Sequence, residues 1–294
     1  MTEDRLPFEK IEREIIVKKE FETSAKFGKR PEERTVEEII DFGVAVINKP
    51  SGPTSHQVSS YVKDILGTSK SGHSGTLDPK VTGVLAVAFG RATRIVNFLL
   101  TAGKEYVCLM HLHSDHEEYH IRKAISEFIG KIDQLPPIKS AIKRQKRQRK
   151  IYYIDVLDIQ GKEVLFKVGC QAGTYIRKLC HDIGQKLGSG AHMSQLIRTK
   201  AGPFDIEDSI TLQDLKDAFY YYKEENNDKF LKSVIKPVEN AVYHLPKIWV
   251  MDTTVDTLCH GADLATPGIS KLHSGIRHNN TVAIMTLKDE LVGV

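Results

Sequence analysis

Cysteine is scarce in this 294-residue chain: Cys108, Cys170, Cys180 and Cys259 are its four, and no two form a CxxC pair. That spacing excludes a disulfide framework and a zinc ribbon, so reduced thiols are expected. Long apolar runs are also lacking. Nothing approaches the about 18 consecutive apolar residues of a membrane-spanning helix. The opening MTEDRLPFEK has no hydrophobic centre of a signal peptide, which together point to a cytoplasmic protein without membrane attachment. A strong charge excess is missing as well. Forty-two Lys and Arg against 38 Asp and Glu leave a formal net charge of +4, too small to identify a nucleic-acid binder by itself. Acidic residues are absent from one stretch, KSAIKRQKRQRK at 139–150, where seven of twelve residues are basic. A local basic stripe is a stronger signal than the total, with a solvated surface run as its plain alternative.

What is present describes an ordinary folded protein: 40% hydrophobic and 27% charged residues, with a length that suggests about two domains. Residues 1–41 mix both charge signs with few apolar positions and are expected to form a solvated extension that gains order only by packing on something else. Strands are expected at Val44 to Ile47, Val84 to Phe89, Glu105 to Leu112, Ile151 to Ile159, Val164 to Gly169 and around Leu196. Helices are expected over Val58 to Leu66, Arg91 to Leu100 and Tyr119 to Ile129, and from near Thr174 and Thr211. Strands and helices without strict βαβ alternation indicate an α+β fold. From Lys247 the texture shifts to short strands and turns, so a boundary near Leu245-Pro246 divides a domain over 42–245 from a small β-rich unit over 246–294.

Three motifs carry possible chemistry. His116-Glu117-Glu118-Tyr119-His120 has the HExxH spelling of a zinc site, but no third ligand follows in a recognisable signature and the polar surroundings favour an exposed helix start; no metal is expected. Gly67 to Ser74 comes within one residue of a P-loop, but His73 stands where the phosphate-binding lysine belongs. In Gly72-His73-Ser74-Gly75-Thr76-Leu77-Asp78-Pro79, Pro79 forces Asp78 out of helical geometry while glycines permit close approach to a ligand. An Asp-Pro turn is also a common structural device, and the residues alone leave both readings open.

HSGTLDPKVTGVL, with NKPSGPTSH before it and KEYV after it, resembles the uridine-to-pseudouridine isomerases of the TruB type. The likeness continues through PPIKSAIKR, GTYIRKL, GAHMSQLIRTKAGPF and HGADL, covers the chain from about Phe42 to its end, and is greatest to the archaeal Cbf5 (dyskerin-like) branch. It implies a mixed-sheet catalytic domain followed by a PUA-like RNA-binding domain, shortened because the sequence stops at KDELVGV. It also implies an RNA pseudouridine synthase without metal or organic cofactor. The expected partners are substrate RNA (rRNA or tRNA), an H/ACA guide RNA and the proteins Nop10, Gar1 and L7Ae. Stand-alone modification of the tRNA T-loop is the nearer alternative, and an inactive RNA-binding scaffold the more distant one.

The resemblance also assigns residues. Asp78 matches the catalytic aspartate and Tyr106 the aromatic ring that stacks on the flipped base, replacing stacking lost on extrusion. Tyr175 and Arg177 match a pocket-lining ring and the guanidinium paired with the aspartate. Leu196 matches an apolar wall, His73 a position close to RNA at the entrance, and Lys49 and Pro50 a motif that braces the catalytic loop. Lys143, Arg144, Lys146, Arg147 and Arg149 correspond to a loop that clamps RNA through phosphate contacts. Ile197 stands where the family commonly has a second arginine, and Ala86 where a proline is usual.

Overall fold

The computed structural model describes residues 4–135 and 145–294. Two sheets organise it. The strands, in chain order, are β1 (Ile15–Val17), β2 (Gly43–Lys49), β3 (Ser71–His73), β4 (Thr82–Phe89), β5 (Lys104–Leu112), β6 (Gly130–Gln134), β7 (Arg147–Gln160), β8 (Glu163–Cys170), β9 (Ala191–Ala201), β10 (Phe204–Asp205), β11 (Ile235–Pro237), β12 (Lys247–Val250), β13 (Ile269–His273), β14 (Ala283–Met285) and β15 (Leu291–Gly293). The larger sheet runs β11-β2-β4-β9-β5-β8-β7-β6, with β3 beside β4 and β10 beside β9. Its β4–β9 pair is parallel, and the central β4 is a continuous apolar run because both of its faces are covered. In β5 the buried Tyr106, Cys108, Met110 and Leu112 alternate onto one face, the period-2 pattern of a strand with one buried side.

The helices are α1 (Val36–Asp41), α2 (Ser55–Leu66), α3 (Val96–Thr101), α4 (Glu118–Ser126), α5 (Ile176–Leu187), α6 (Leu212–Glu225), α7 (Lys229–Val234), α8 (Val238–Ala241) and α9 (Asp252–Cys259). Thr54 caps α2 by accepting from the Gln57 N–H at 3.2 Å, and Gly67 ends the helix with φ 64°, a left-handed conformation that costs glycine little. Helix α5 packs its apolar face on β5 and β9, where Leu179, Cys180 and Ile183 join the core around Tyr106. Among the described residues no helix is long and apolar enough to cross a membrane.

Several expectations change in detail. The segment expected as one helix from Arg91 opens as a 3-10 turn, Gly90–Ile95, before α3, and the helix expected to reach Ile129 ends at Ser126. Strand β7 starts at Arg147, so Arg147 and Arg149 sit in a ladder with β6 and not in a loop. Gly67 to Ser74 is a helix end followed by β3, not a phosphate-cradling turn. The helix carrying the HExxH spelling starts at Glu118, leaving His116 outside it; His116 bonds Ser189 at 2.8 Å, so the two histidines do not share a helical face.

The largest correction concerns residues 4–41, which are not a solvated arm throughout. Leu6 is wholly buried, Glu9 pairs with Lys200 at 2.7 Å, and Arg34 forms a buried two-bond ion pair with Glu239 at 2.7 and 2.9 Å. Strand β1 then joins the smaller sheet, β1-β13-β12-β14-β15, pairing with β13. That sheet leans on the larger one: Trp249, Ala283 and Met285 share a core cluster with Val44, Val84 and Leu99.

Candidate active site

The loop from Ser74 to Val81 carries Asp78, and most of its backbone is tied down from below. Ser55, wholly buried at the start of α2, accepts from the Leu77 N–H at 2.8 Å and donates back to the Leu77 carbonyl at 3.3 Å. Lys49 is also wholly buried, and its ammonium donates to the carbonyls of Pro50 at 2.7 Å and of Pro79 and Val81 at 3.0 Å each. The Gly52 N–H adds a bond to Pro79. Burial pushes the Lys49 ammonium below its ordinary pKa, with the positive Arg198 nearby acting in the same direction. Leu77 and Val81, on either side of Asp78, are inserted in the core. Asp78, between the buried Leu77 and the exposed Pro79, is itself about half exposed.

Arg177, in the first turn of α5, meets the Asp78 carboxylate directly in an ion pair whose two side chains are each about half exposed. Tyr175 occupies the N-cap position of that helix. Its N–H donates to Gln134 Oε1 at 2.9 Å and its carbonyl accepts from Gln134 Nε2 at 3.1 Å, so the buried Gln134 of β6 fixes the backbone that presents Tyr175 and Arg177. Tyr106 belongs to the same core cluster as Leu77, Val81 and Ile176, and Leu196 packs against that cluster. Burial raises the Tyr106 phenol above its ordinary pKa and keeps it protonated, although Arg198 opposes part of that shift.

His73 ends β3. Its ring meets His56 edge-on at 4.9 Å, and Nδ1 accepts from the Gly75 N–H at 3.3 Å, which puts the proton of the neutral ring on Nε2. Burial, helped by His56 and Arg198, lowers its pKa to about 4. A neutral imidazole therefore stands beside the Asp78 loop at ordinary pH.

The basic stripe divides. Lys143 and Arg144 lie outside the described residues. Lys146 is exposed and pairs with Asp133 at 2.9 Å, while Arg149 reaches across to the Gly173 carbonyl at 3.1 Å, two residues before Tyr175. Sequence reasoning missed Gln134 and Arg198. Gln134 reads as an ordinary polar strand residue, and Arg198 could have been flagged only as a charge inside an otherwise strand-like segment.

Comparison with known proteins gives the family. Family models match in chain order: the DKCLD (NUC011) domain over residues 3–59, the N-terminal domain of TruB family pseudouridylate synthase over 63–176, the tRNA pseudouridylate synthase B C-terminal domain over 177–243, and the PUA domain over 246–294. Proteins named probable tRNA pseudouridine synthase B are 55% identical in both Methanopyrus kandleri, over 99% of this chain and 86% of that one, and Pyrococcus furiosus, over 97% and 84%. Among solved structures, a chain from a Cbf5-Nop10-Gar1 complex superposes with a TM-score of 0.93 at 55% identity, covering 98% of this chain and 88% of that one. A chain from an H/ACA ribonucleoprotein bound to substrate RNA containing 2'-deoxyuridine gives 0.91 at 52%, with the same coverage. A catalytic domain that anchors an aspartate against an arginine, followed by a PUA domain, thus belongs to a protein of the TruB family of RNA pseudouridine synthases, in its Cbf5-like form.

Proposed function

We propose that Asp78 is the group that reacts during uridine isomerisation and that Arg177 holds its carboxylate in place. The observation that carries this is the direct Asp78–Arg177 pair on a loop whose backbone is fixed by Lys49 and Ser55. The reaction needs no outside reagent: C1′–N1 breaks, the base turns, C1′–C5 forms, and the proton leaving C5 is matched by one gained at N1. A loop that cannot drift is what such a reaction requires, because the carboxylate must stay aligned while the base rotates. Tyr106 and Tyr175 supply aromatic faces for an extruded uridine, Leu196 an apolar wall, and neutral His73 a hydrogen-bonding group near the entrance. Lys49 and Pro50 support the loop, and Lys143, Arg144, Lys146, Arg147 and Arg149 contact phosphates. Residues 1–41, 42–245 and 246–294 serve as extension, catalytic domain and RNA-binding PUA-like module.

In this reading the chain works in the cytoplasm as the catalytic subunit of an H/ACA guide ribonucleoprotein, with Nop10, Gar1 and L7Ae as its protein partners. Support comes from the matched Cbf5-Nop10-Gar1 and H/ACA assemblies, which align over nearly all of this chain. Stand-alone modification of tRNA is a second reading, favoured by the name its curated relatives carry. Asp78→Asn keeps size and removes charge; it is expected to abolish pseudouridine formation while the fold and most RNA affinity persist, and substantial turnover in that variant overturns the assignment. Mapping pseudouridine with free tRNA, and with guide RNA and partners added, separates the two readings: a rate that depends on guide and partners supports the assembly, and efficient modification of free tRNA indifferent to guide supports the stand-alone enzyme.

A further inference from the structure

Arg198, on β9, is 1% exposed. A guanidinium stays charged at working pH, and burying a cation is costly unless its donors are all well used. Here they are fixed on two backbone carbonyls. Nε donates to the Val84 carbonyl at 2.7 Å, Nη2 donates to the Gly75 carbonyl at 3.0 Å, and Arg198 stands directly opposite Tyr106 in the antiparallel β5–β9 ladder. Gly75 precedes Asp78 and Val84 follows it, so one planar group holds both ends of the loop segment, with Tyr106 opposite it in the ladder.

The guanidinium has a fixed base to work from. Arg198 pairs with Gly83 in the parallel β4–β9 ladder, and Gly83 has φ +101°; a Cβ there would lie 2.2 Å from the Arg198 carbonyl oxygen. Only glycine lets the two backbones approach so closely. Lysine at position 198 would keep the charge but lose the planar fork that reaches separate acceptors at once.

Resting on the assignment of Asp78 and Tyr106 above, we propose that Arg198 is a positioning residue for the isomerisation: it locks the Asp78 loop to the Tyr106 ring, so that the uridine enters a gap of preset width. Its contribution falls on the chemical step and not on RNA affinity, since it is shielded from the RNA. A residue that merely stabilised the β4–β9 pairing would change the melting temperature without changing the rate of the folded enzyme.

The experiment compares wild type, Arg198→Lys, Tyr106→Phe and the double variant in the complete assembly, by single-turnover rate at saturating RNA, RNA affinity and thermal unfolding. Arg198→Lys is expected to lower the rate by about tenfold or more, since displacements near 1 Å have such effects, with affinity within about threefold. In the Tyr106→Phe background the same change should cost clearly less, because the two residues face each other across the ladder and act together. A rate for Arg198→Lys within about twofold of wild type, a loss confined to affinity, or fully multiplicative effects in the cycle overturns the proposal. Should Arg198→Lys fail to fold, Arg198→Gln, which keeps a planar donor without the charge, takes its place: a rate within about twofold of wild type shows that the guanidinium is idle. Activity surviving in Asp78→Asn defeats the underlying assignment separately, whatever Arg198 does.

Discussion

Lys49, Lys104 and Arg198 lie under the candidate site almost without contact with water, whereas Lys146, Arg147 and Arg149 stand along the β6–β7 hairpin beside it, with Lys146 largely in solvent. The buried cations take their partners from backbone carbonyls: Lys104 donates to Leu99 at 2.8 Å and Ala102 at 2.7 Å, as Lys49 and Arg198 do within the loop. Burial, aided by Arg198, lowers Lys104 to a pKa of about 7. Of the hairpin cations, Lys146 meets the Asp133 carboxylate and Arg149 the carbonyls of Gln148 and Gly173. Positive charge therefore acts as internal scaffolding in one place and as an outward-facing surface in the other. The difference lies in what each side chain would leave behind if removed: unsatisfied carbonyls in the first case, a slightly altered surface in the second.

The largest expected effect tests the scaffold. Lys49→Met strips charge-assisted donors from three carbonyls and should destabilise the protein by about 4 kcal/mol, read by chemical denaturation, together with a loss of isomerisation rate. A loss below about 1 kcal/mol would show that the loop holds its shape without the ammonium.

Next comes His244, which burial lowers from 6.5 to about 4, with Lys104 and Arg13 adding repulsion that backbone hydrogen bonds only partly offset. Because its folded pKa lies below the unfolded one, its contribution to stability is complete above pH 6.5 and is lost as pH falls toward 4. The loss should amount to about 3 kcal/mol, and His244→Asn should flatten that part of the stability profile. Parallel profiles for the two proteins would contradict it. Ser55→Ala is smaller: it leaves the buried Leu77 N–H without its partner and should cost about 2 kcal/mol in the same denaturation measurement.

Replacing Lys146, Arg147 and Arg149 together by Gln should move stability by no more than about 0.5 kcal/mol. RNA binding should still weaken, and its logarithmic salt slope should flatten by about 2, near 0.7 for each phosphate that is no longer neutralised. An unchanged slope would make the hairpin an ordinary solvated surface and erase the contrast with the buried set.

The candidate site was legible only through the family resemblance carried by GTLDP, KEYV and GTYIR, since the residues of the Asp78 loop alone fit a structural Asp-Pro turn as well. Strands β4 and β5 were plainer, one from its unbroken apolar run and the other from alternation. What escaped was long-range. Arg34 finds Glu239 at a separation of 205 residues, and nothing in the charged wording of residues 1–41 marks that arginine as buried. Gln134 and Arg198 escaped for the same reason, since their importance lies in which carbonyls they reach across the sheet.

The pairing of β1 with β13 bears on the order of events during synthesis. Lys288 donates to the carbonyls of Ser24, Phe27 and Gly28, up to 264 positions away, and Lys18 donates to Thr266 at 2.5 Å. A ribosome releases the first of these segments long before it makes the second. The early segment must wait, exposing Ile15, Ile16 and Val17 as an unpaired strand while the larger sheet assembles around it. Pairing of β1 thus waits until β13 has been made, and a chaperone that shields those three side chains would act in that interval.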